Sequence, residues 1–570
     1  MKILVITLLS STVCCIGPSA SAQGIFQDLS PVSSTQTVLQ PITSAESTQD
    51  TAPAAGAQSP VSQSLPTIEP TATPDLGSGF FTRLANYYKL EWGKPGLPSD
   101  PNAPASRRSG FPPQPENSPP MPFTEWPYGG TTSIGVNRAG SVDSPLMAAL
   151  APSGLGKALA SAHIQVYGWI DVGGNFSTNH VKGGNAPGAY NYDPRHIQLD
   201  QAVIYVERTP DTVQTDHVDW GFRVSGIYGV DYRYTTSYGL FSNQLLGKDG
   251  KYGYDLPMIY GEVYIPKVAD GFLVRFGRFI SLPDIEAQLA PNNYMYSHSL
   301  TYTFDNYTNT GIQGTLAVSK NLFLQLGVSI GSDTALWNYR KTIANPFPNP
   351  LYPGTRYRKD PGALPSVTGC IRYETNSARD GVYFCADAIN SGTYGYNNLQ
   401  WYGMTYYHRF NDKLHIAFET YNLHQNRVPN VNNPIVTDAI AMGGTPFSPQ
   451  NVPFNAPNGA QCDNPNALTC KASAQSFLTY LNYQFTPLDN ISLRAEYYDD
   501  QQGQRTGVKT RYASAALGIQ HWLSPQFELR PEVAYYKAFD APAFNGNGNL
   551  GIAPNKKESF VISGDIIAHF

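Results

Sequence analysis

The side chains with the most chemical potential are ionised residues on alternate positions of short, strand-like segments. Arg494 and Glu496 stand two apart, as do Glu528, Arg530 and Glu532, while Arg223 and Arg275 occupy earlier segments of the same kind. In a strand, residues i and i+2 share a face, so each such segment opposes a charged side to a greasy one. Charges of both signs on one enclosed face can set a field, or they can pair and brace the wall; the two are compatible. Neither makes or breaks a bond. Hydrolytic or nucleotide chemistry needs a constellation that this sequence lacks, since it carries no HExxH and no P-loop, and Gly327-Val-Ser-Ile-Gly331 spells GxSxG inside an alternating strand rather than at the strand-to-helix turn of a nucleophile elbow. Gly546-Asn-Gly-Asn-Leu-Gly551 spells GxGxxG, yet it follows Phe544 in a loop and precedes a strand rather than a helix. It reads as a hairpin loop. His415 shares a polar face with Glu419, and His569 with Asp565, and lining such a face requires no catalysis. No cofactor is expected.

Of the 6 Cys, Cys14 and Cys15 fall in the leading apolar run, leaving Cys370, Cys385, Cys462 and Cys470. An even number in an oxidising compartment favours disulfides. Four cysteines allow three pairings, and proximity favours Cys370 with Cys385 and Cys462 with Cys470. A metal site would need CxxC-type or His-rich spacing, which is absent.

The elements that must position these residues follow from the rest of the chain. Met1 and Lys2, the apolar run Ile3 to Ile16 and the small residues Ala20-Ser21-Ala22 form a signal peptide over 1–22, cut between Ala22 and Gln23. The run is shorter than the roughly 20 apolar residues of a spanning helix. Val13 before Cys14 argues against lipid attachment. Residues 24 to 78 are rich in Ser, Thr, Pro, Gln and Ala without Lys or Arg, and cannot bury enough apolar surface to offset their ordering entropy. Phe80, Leu84, Tyr88 and Trp92 recur at helical spacing, so a short amphipathic helix is expected over 80–92, resting in a barrel mouth or on the periplasmic face, or simply interrupting a linker. After a Pro-rich stretch over 93–130, ordered structure is expected to resume near Ala162. The segment 23–160 is thus expected to be mostly disordered and periplasmic.

From residue 161 to the end the pattern has period two. Ile491, Leu493, Ala495 and Tyr497 oppose Ser492, Arg494, Glu496 and Tyr498, and Leu322, Leu324, Leu326, Val328 and Ile330 oppose Phe323, Gln325, Gly327 and Ser329. Connections alternate between tight turns, such as Lys320-Asn321 and Ser524-Pro525, and mostly long loops, such as 332 to 397 and 425 to 474. The fold class expected is all-β, a transmembrane antiparallel up-and-down β-barrel of about fourteen strands (range 14–18). Its long loops are extracellular and its short turns periplasmic, and the faces carrying Arg223, Arg275, Arg494, Glu496, Glu528, Arg530 and Glu532 are expected to point into a wet interior, because a midplane Arg facing lipid costs roughly 2–4 kcal/mol. Cys370 and Cys385 fall in a stapled hairpin within the fourth long loop; as wall strands they would bring the count to about sixteen. With 37 Tyr, 26 Phe, 51 Gly and only 14% charged residues, the composition suits girdles and turns of such a barrel. Mean hydropathy of -0.30 does not oppose it, because only alternate residues meet lipid. A net charge of -5 without any basic block excludes a nucleic-acid partner.

The blocks Leu199-Asp-Gln-Ala-Val-Ile-Tyr-Val-Glu-Arg208 through Phe222, Gly277-Arg-Phe-Ile-Ser-Leu-Pro-Asp-Ile-Glu286 through Tyr294, and Tyr302-Thr-Phe-Asp-Asn-Tyr-Thr-Asn-Thr-Gly311 resemble the OmpL-like β-barrel porin family. The resemblance covers nearly all of 160–570, with patches at Phe80 to Trp92 and Trp126 to Gly130. It implies a channel in the bacterial outer membrane for passive diffusion of small hydrophilic solutes or ions, with lipid as its surroundings and the possibility of a homo-oligomer. A receptor or adhesin acting through the long loops is the alternative, with a barrel hydrolase behind it. The strand ending in Phe570 resembles the signal read by the outer-membrane assembly machinery. In general porins the third long connection folds inward and narrows the channel. By that analogy Asp284 and Glu286 are expected to face Arg275 or Arg278 across a constriction.

Overall fold

Alternation of greasy and polar residues leaves an antiparallel sheet no stable option in lipid except closure, because an open edge strands backbone N–H and C=O groups. The computed structural model of the chain describes residues 75–93, 132–136, 144–237, 242, 251–281, 284–333, 335, 342–343, 357–358, 364–377, 379–394, 398–441 and 459–570. Sixteen strands close into one antiparallel barrel. They are β1 (Gln165–Ser177), β2 (Ile197–Arg208), β3 (Asp219–Gly229), β4 (Gly253–Ile265), β5 (Phe272–Ile280), β6 (Thr308–Ala317), β7 (Leu322–Ser332) and β8 (Ser366–Glu374). Then follow β9 (Asp380–Ile389), β10 (Gln400–Arg409), β11 (Leu414–Pro429), β12 (Thr469–Thr486), β13 (Asp489–Asp500) and β14 (Thr510–Ser524). The fifteenth, β15, is split into Phe527–Leu529 and Glu532–Ala538, and β16 is Glu558–His569. The split falls at Pro531, which has no N–H to give a neighbour.

Each strand pairs with its sequence neighbours, and β1 pairs with β16 from Trp169↔His569 to Ser177↔Val561. Gly168 continues the seam: its N–H donates to Phe570 O (3.0 Å) and its carbonyl accepts from the Phe570 N–H (2.9 Å). A Cβ at Gly168 would lie 2.0 Å from Val203 O and 2.7 Å from the Phe570 ring, so the seam needs glycine there. Connections alternate as expected, with 266–271, 318–321, 410–413, 487–488 and 525–526 on one rim and 178–196, 230–252, 281–307 and 430–468 on the other. Outward positions carry exposed Ile170, Phe276, Ile312, Leu326, Phe384, Leu481, Leu517 and Ile562, among others. Left in water, each such side chain would forgo roughly 1.5–3 kcal/mol relative to an apolar surrounding.

Three expectations are corrected. The Cys370–Cys385 pair does not staple a hairpin within a loop: Cys370 on β8 stands opposite Cys385 on β9, and these two wall strands bring fourteen to sixteen. The second disulfide joins Cys462 to Cys470, and Cys462 packs with buried Tyr394, Val428, Ala460 and Ala472. Ordered structure also resumes before Ala162, with helices over 145–161, while the helix expected over 80–92 is present. Helix α1 (Phe80–Glu91) lies against the short-turn rim, where Tyr88 Oη donates to His569 O (2.7 Å) and the Tyr88 and Trp92 rings sit 5.2 and 5.7 Å from Phe527. Helices α2 (Pro145–Leu150) and α3 (Gly154–Ser161) follow, each N-capped by a serine hydroxyl, Ser144 on Met147 N and Ser153 on Gly156 N. These caps, with Pro145 in the first turn, were the overlooked signals. The third correction concerns the interior. Arg223, Arg494 and Arg530 point inward, away from lipid, but into packed structure rather than open water.

Candidate functional site: the barrel lumen and its inserted loop

The connection from β5 to β6 has no strand period, yet the described residues 284–309 are all buried. They enter the lumen and bond to its wall on several sides. Ile285 N donates to Glu419 Oε2 on β11 (2.9 Å), Ala290 N to Gln201 Oε1 on β2 (3.2 Å), and Ser297 N to Glu532 Oε2 on β15 (3.0 Å). The short helix α4 (Leu300–Thr303) is held by Glu496 on β13, which accepts from Thr301 Oγ1 (2.8 Å), and by Tyr421 Oη, which donates to Thr301 O (2.6 Å). Tyr296 packs over Gly173 of β1, where a Cβ would approach its ring to 2.5 Å and Asp200 Oδ2 to 2.3 Å. A loop with so many buried polar groups is tolerable only because the wall supplies their partners. His298 donates through Nε2 to Ala287 O (2.7 Å) and stacks on Tyr190. Burial drives its pKa down to about 3, so the imidazole is neutral.

The ionised residues singled out from sequence are paired. Arg223 Nε donates to Glu207 Oε2 (2.7 Å), Arg275 Nε to Glu262 Oε1 (2.8 Å) and Arg278 Nη1 to Asp255 Oδ1 (3.2 Å). Arg530 Nε binds Asp565 Oδ1 (3.0 Å), while its Nη1 donates to the loop carbonyl of Asn293 (3.0 Å). Arg494 Nη1 reaches Ser297 O (2.6 Å) and lies 3.4 Å from Glu286 Oε1, which also accepts from Tyr480 Oη. Glu528 accepts from Gln520 Nε2 (2.6 Å), and Glu532 accepts from Ser563 Oγ (3.0 Å). Arg275 further stacks over Tyr260 at 4.8 Å. Such buried pairs contribute little net stability over apolar packing, but losing one partner strands the other.

The expected transverse pairing is therefore redrawn. Asp284 and Glu286 do enter the lumen, but Arg275 and Arg278 are taken by wall carboxylates. Glu286 meets Arg494 instead, and Asp284 lies with Asp305 and Glu419, one carboxylate oxygen of each within 4.8 Å of the others. The missed partners Glu207 and Glu262 were within reach of sequence, since each sits directly across a short-rim turn from its arginine in register. Asp305, Glu419 and Tyr480 were not, because nothing periodic places a loop. His415 meets Tyr294, and His569, on the inner face with Asp565 as expected, lies 3.5 Å from Glu528. The GxGxxG letters fall in the loop after β15, as expected.

The lumen is also entered from the short-turn rim. Ile134 packs among Tyr264, Leu273, Ala317 and Phe323, all on the inner face, and Thr132 Oγ1 donates to Glu262 Oε2 (2.7 Å). Gly135 N donates to Thr212 O (3.2 Å).

A closed sixteen-stranded barrel with an apolar outer belt, a polar inner face and a loop folded into its lumen has the architecture of a porin. A family model described as "Putative beta-barrel porin-2, OmpL-like" matches residues 163–570, and the chain belongs to that family. Among solved structures, the chain is similar to an anion-selective porin from Comamonas acidovorans (10% identity, 71% of this chain and 99% of that chain, TM-score 0.39). It is also similar to the outer membrane channel DcaP of Acinetobacter baumannii (9%, 71% and 97%, TM-score 0.40). A third such structure is OmpT of Vibrio cholerae in its trimer form (9%, 71% and 99%, TM-score 0.37). No curated protein matches the chain.

Proposed function

We propose that the protein resides in a bacterial outer membrane as a channel for passive diffusion of small hydrophilic solutes or ions. The observation that carries this reading is the loop between β5 and β6, seated inside a closed polar lumen and hydrogen-bonded to the wall. In this reading the short-turn rim faces the periplasm, a signal peptide over 1–22 is removed before Gln23, and the strand ending in Phe570 is presented to the assembly machinery. Selectivity belongs to the loop and the charges it meets: Glu286 with Arg494, and Arg530 with Asp565. Because the described loop residues are buried, the path beside them is narrow and conductance is small. Single-channel recording of the refolded mature chain tests this. Discrete steps, smaller than those of an open sixteen-stranded lumen and altered in ion selectivity by Glu286→Gln, are expected; a membrane that stays silent removes the reading. Liposome swelling separates it from a receptor acting through the long loops, since only a channel admits sugars.

A further inference from the structure

Three carboxylates converge where the inserted loop begins and ends. Asp284 stands near its start, Asp305 near its end, and Glu419 on β11, the wall strand that both meet. All three are buried, at 4%, 2% and 0% exposure. Each has an oxygen that no donor reaches: Asp284 Oδ1, Asp305 Oδ2 and Glu419 Oε1. Their other contacts are few. Ile285 N donates to Glu419 Oε2, and Asn306 N donates to Asp305 Oδ1.

The surrounding charges do not neutralise the group. Arg505 offsets part of the charge on Asp305 while its Nε donates to Phe304 O (2.9 Å) and its Nη2 to Asp305 O (3.4 Å), but one guanidinium does not balance three carboxylates. Asp387 adds another negative charge nearby, although Thr368, Asn309 and Asn306 satisfy its oxygens. Glu286 and Glu496 are likewise occupied, by Arg494 and Thr301 among others. Carboxylates that each keep one unmet oxygen in a buried site must either share protons, as the contact between the Asp284 and Asp305 carboxyls allows, or hold a cation.

We propose that Asp284, Asp305 and Glu419 bind one Ca2+ ion, which fastens both feet of the inserted loop to β11. The donor set is oxygen only, which suits a hard cation and not zinc. One oxygen of each carboxylate lies within 4.8 Å of the others, close enough for a single ion to touch all three. Ca2+ tolerates such an irregular set of protein oxygens, whereas Mg2+ demands near-ideal octahedral geometry and keeps several of its waters.

The test uses the full mature chain refolded in detergent and stripped with EDTA. Titration calorimetry with CaCl2 should show one site per chain, with Mg2+ binding at least tenfold more weakly. Saturating Ca2+ should raise the unfolding midpoint by about 5 °C. Glu419→Gln and Asp305→Asn should each weaken Ca2+ binding at least tenfold, yet unfold no earlier than the unsubstituted chain in EDTA, because each removes a like charge. Asp540→Asn, in a distant loop, should keep the full shift. No stoichiometric heat with the unsubstituted chain, or a shift that survives Glu419→Gln, overturns the proposal. So does stability that follows pH alone and ignores Ca2+, the result expected of shared protons. These readouts do not require conduction, so a silent membrane with Ca2+ still bound would sink the channel reading alone.

Discussion

At Arg530 a single guanidinium serves two structures, since it binds Asp565 on the next strand and the carbonyls of Ala290 and Asn293 in the loop. Replacing it with Met keeps the volume but leaves the Asp565 carboxylate buried without its counter-charge. Loss of one partner of a buried pair costs about 3–5 kcal/mol. Urea unfolding of the refolded chain should register a loss of that size for Arg530→Met, and a change below about 1 kcal/mol would contradict the packed-lumen geometry. The rim offers the opposite case. Asp540, in the loop after β15, accepts from Arg511 Nε (3.0 Å) and Nη2 (2.7 Å), which lowers its pKa to about 2. A depressed carboxylate stabilises the fold above its ordinary pKa, and that contribution is lost as pH falls through about 2. The pair is exposed, so Asp540→Asn should cost at most about 1 kcal/mol at neutral pH, with the gap to the unsubstituted chain closing towards pH 2 when urea midpoints are compared. Which side of a strand a charge occupies was legible from alternation. Its partner was legible only where, as for Arg223 with Glu207, both flank a short turn in register.

Among the elements, strands were the most legible, because a period of two survives without knowledge of neighbours. Whether Cys370 and Cys385 stood in a loop or in the wall was not decided by pairing, since a staple suits either place. The upstream helices were less legible: their apolar faces are short, and they rest on a rim that only the finished barrel provides. The inserted loop was legible only by analogy, because its conformation is set by wall groups far away in sequence. Its seat at Gly173 gives a direct test. Gly173→Val drives methyl groups toward Tyr296 and Asp200, and overpacking of this kind costs about 1–3 kcal/mol. Protease digestion should then cut within 281–307, where the unsubstituted chain resists. The Cys462–Cys470 bridge acts locally instead. Closing so short a loop restricts the unfolded chain by about 2–3 kcal/mol, so the double substitution to Ser should expose 430–468 to protease while the barrel's own unfolding midpoint moves little.

For the whole molecule, the outer belt, the inner charges and the tied ends form one argument, and the segment at 132–136 adds to it. Ile134 sits among apolar inner-wall residues at the short-turn mouth, and Thr132 holds a carboxylate that Arg275 also binds. Ile134→Asp sets an ionised group in that apolar cluster, a change that should expel the segment. In bilayer recordings the expected outcome is a larger conductance step at unchanged barrel stability; an identical step would mean that the segment does not obstruct the path.

The seam between β1 and β16 joins residues about 400 positions apart, Trp169 with His569 being one such pair. Contacts this remote form late, because the intervening chain must first be ordered. Until they form, the growing sheet has two raw margins, each a template for pairing with a stranger. The molecule is thus in most danger from its neighbours just before it is complete, and Gly168, by letting Phe570 dock against it, acts as the catch that ends that exposure.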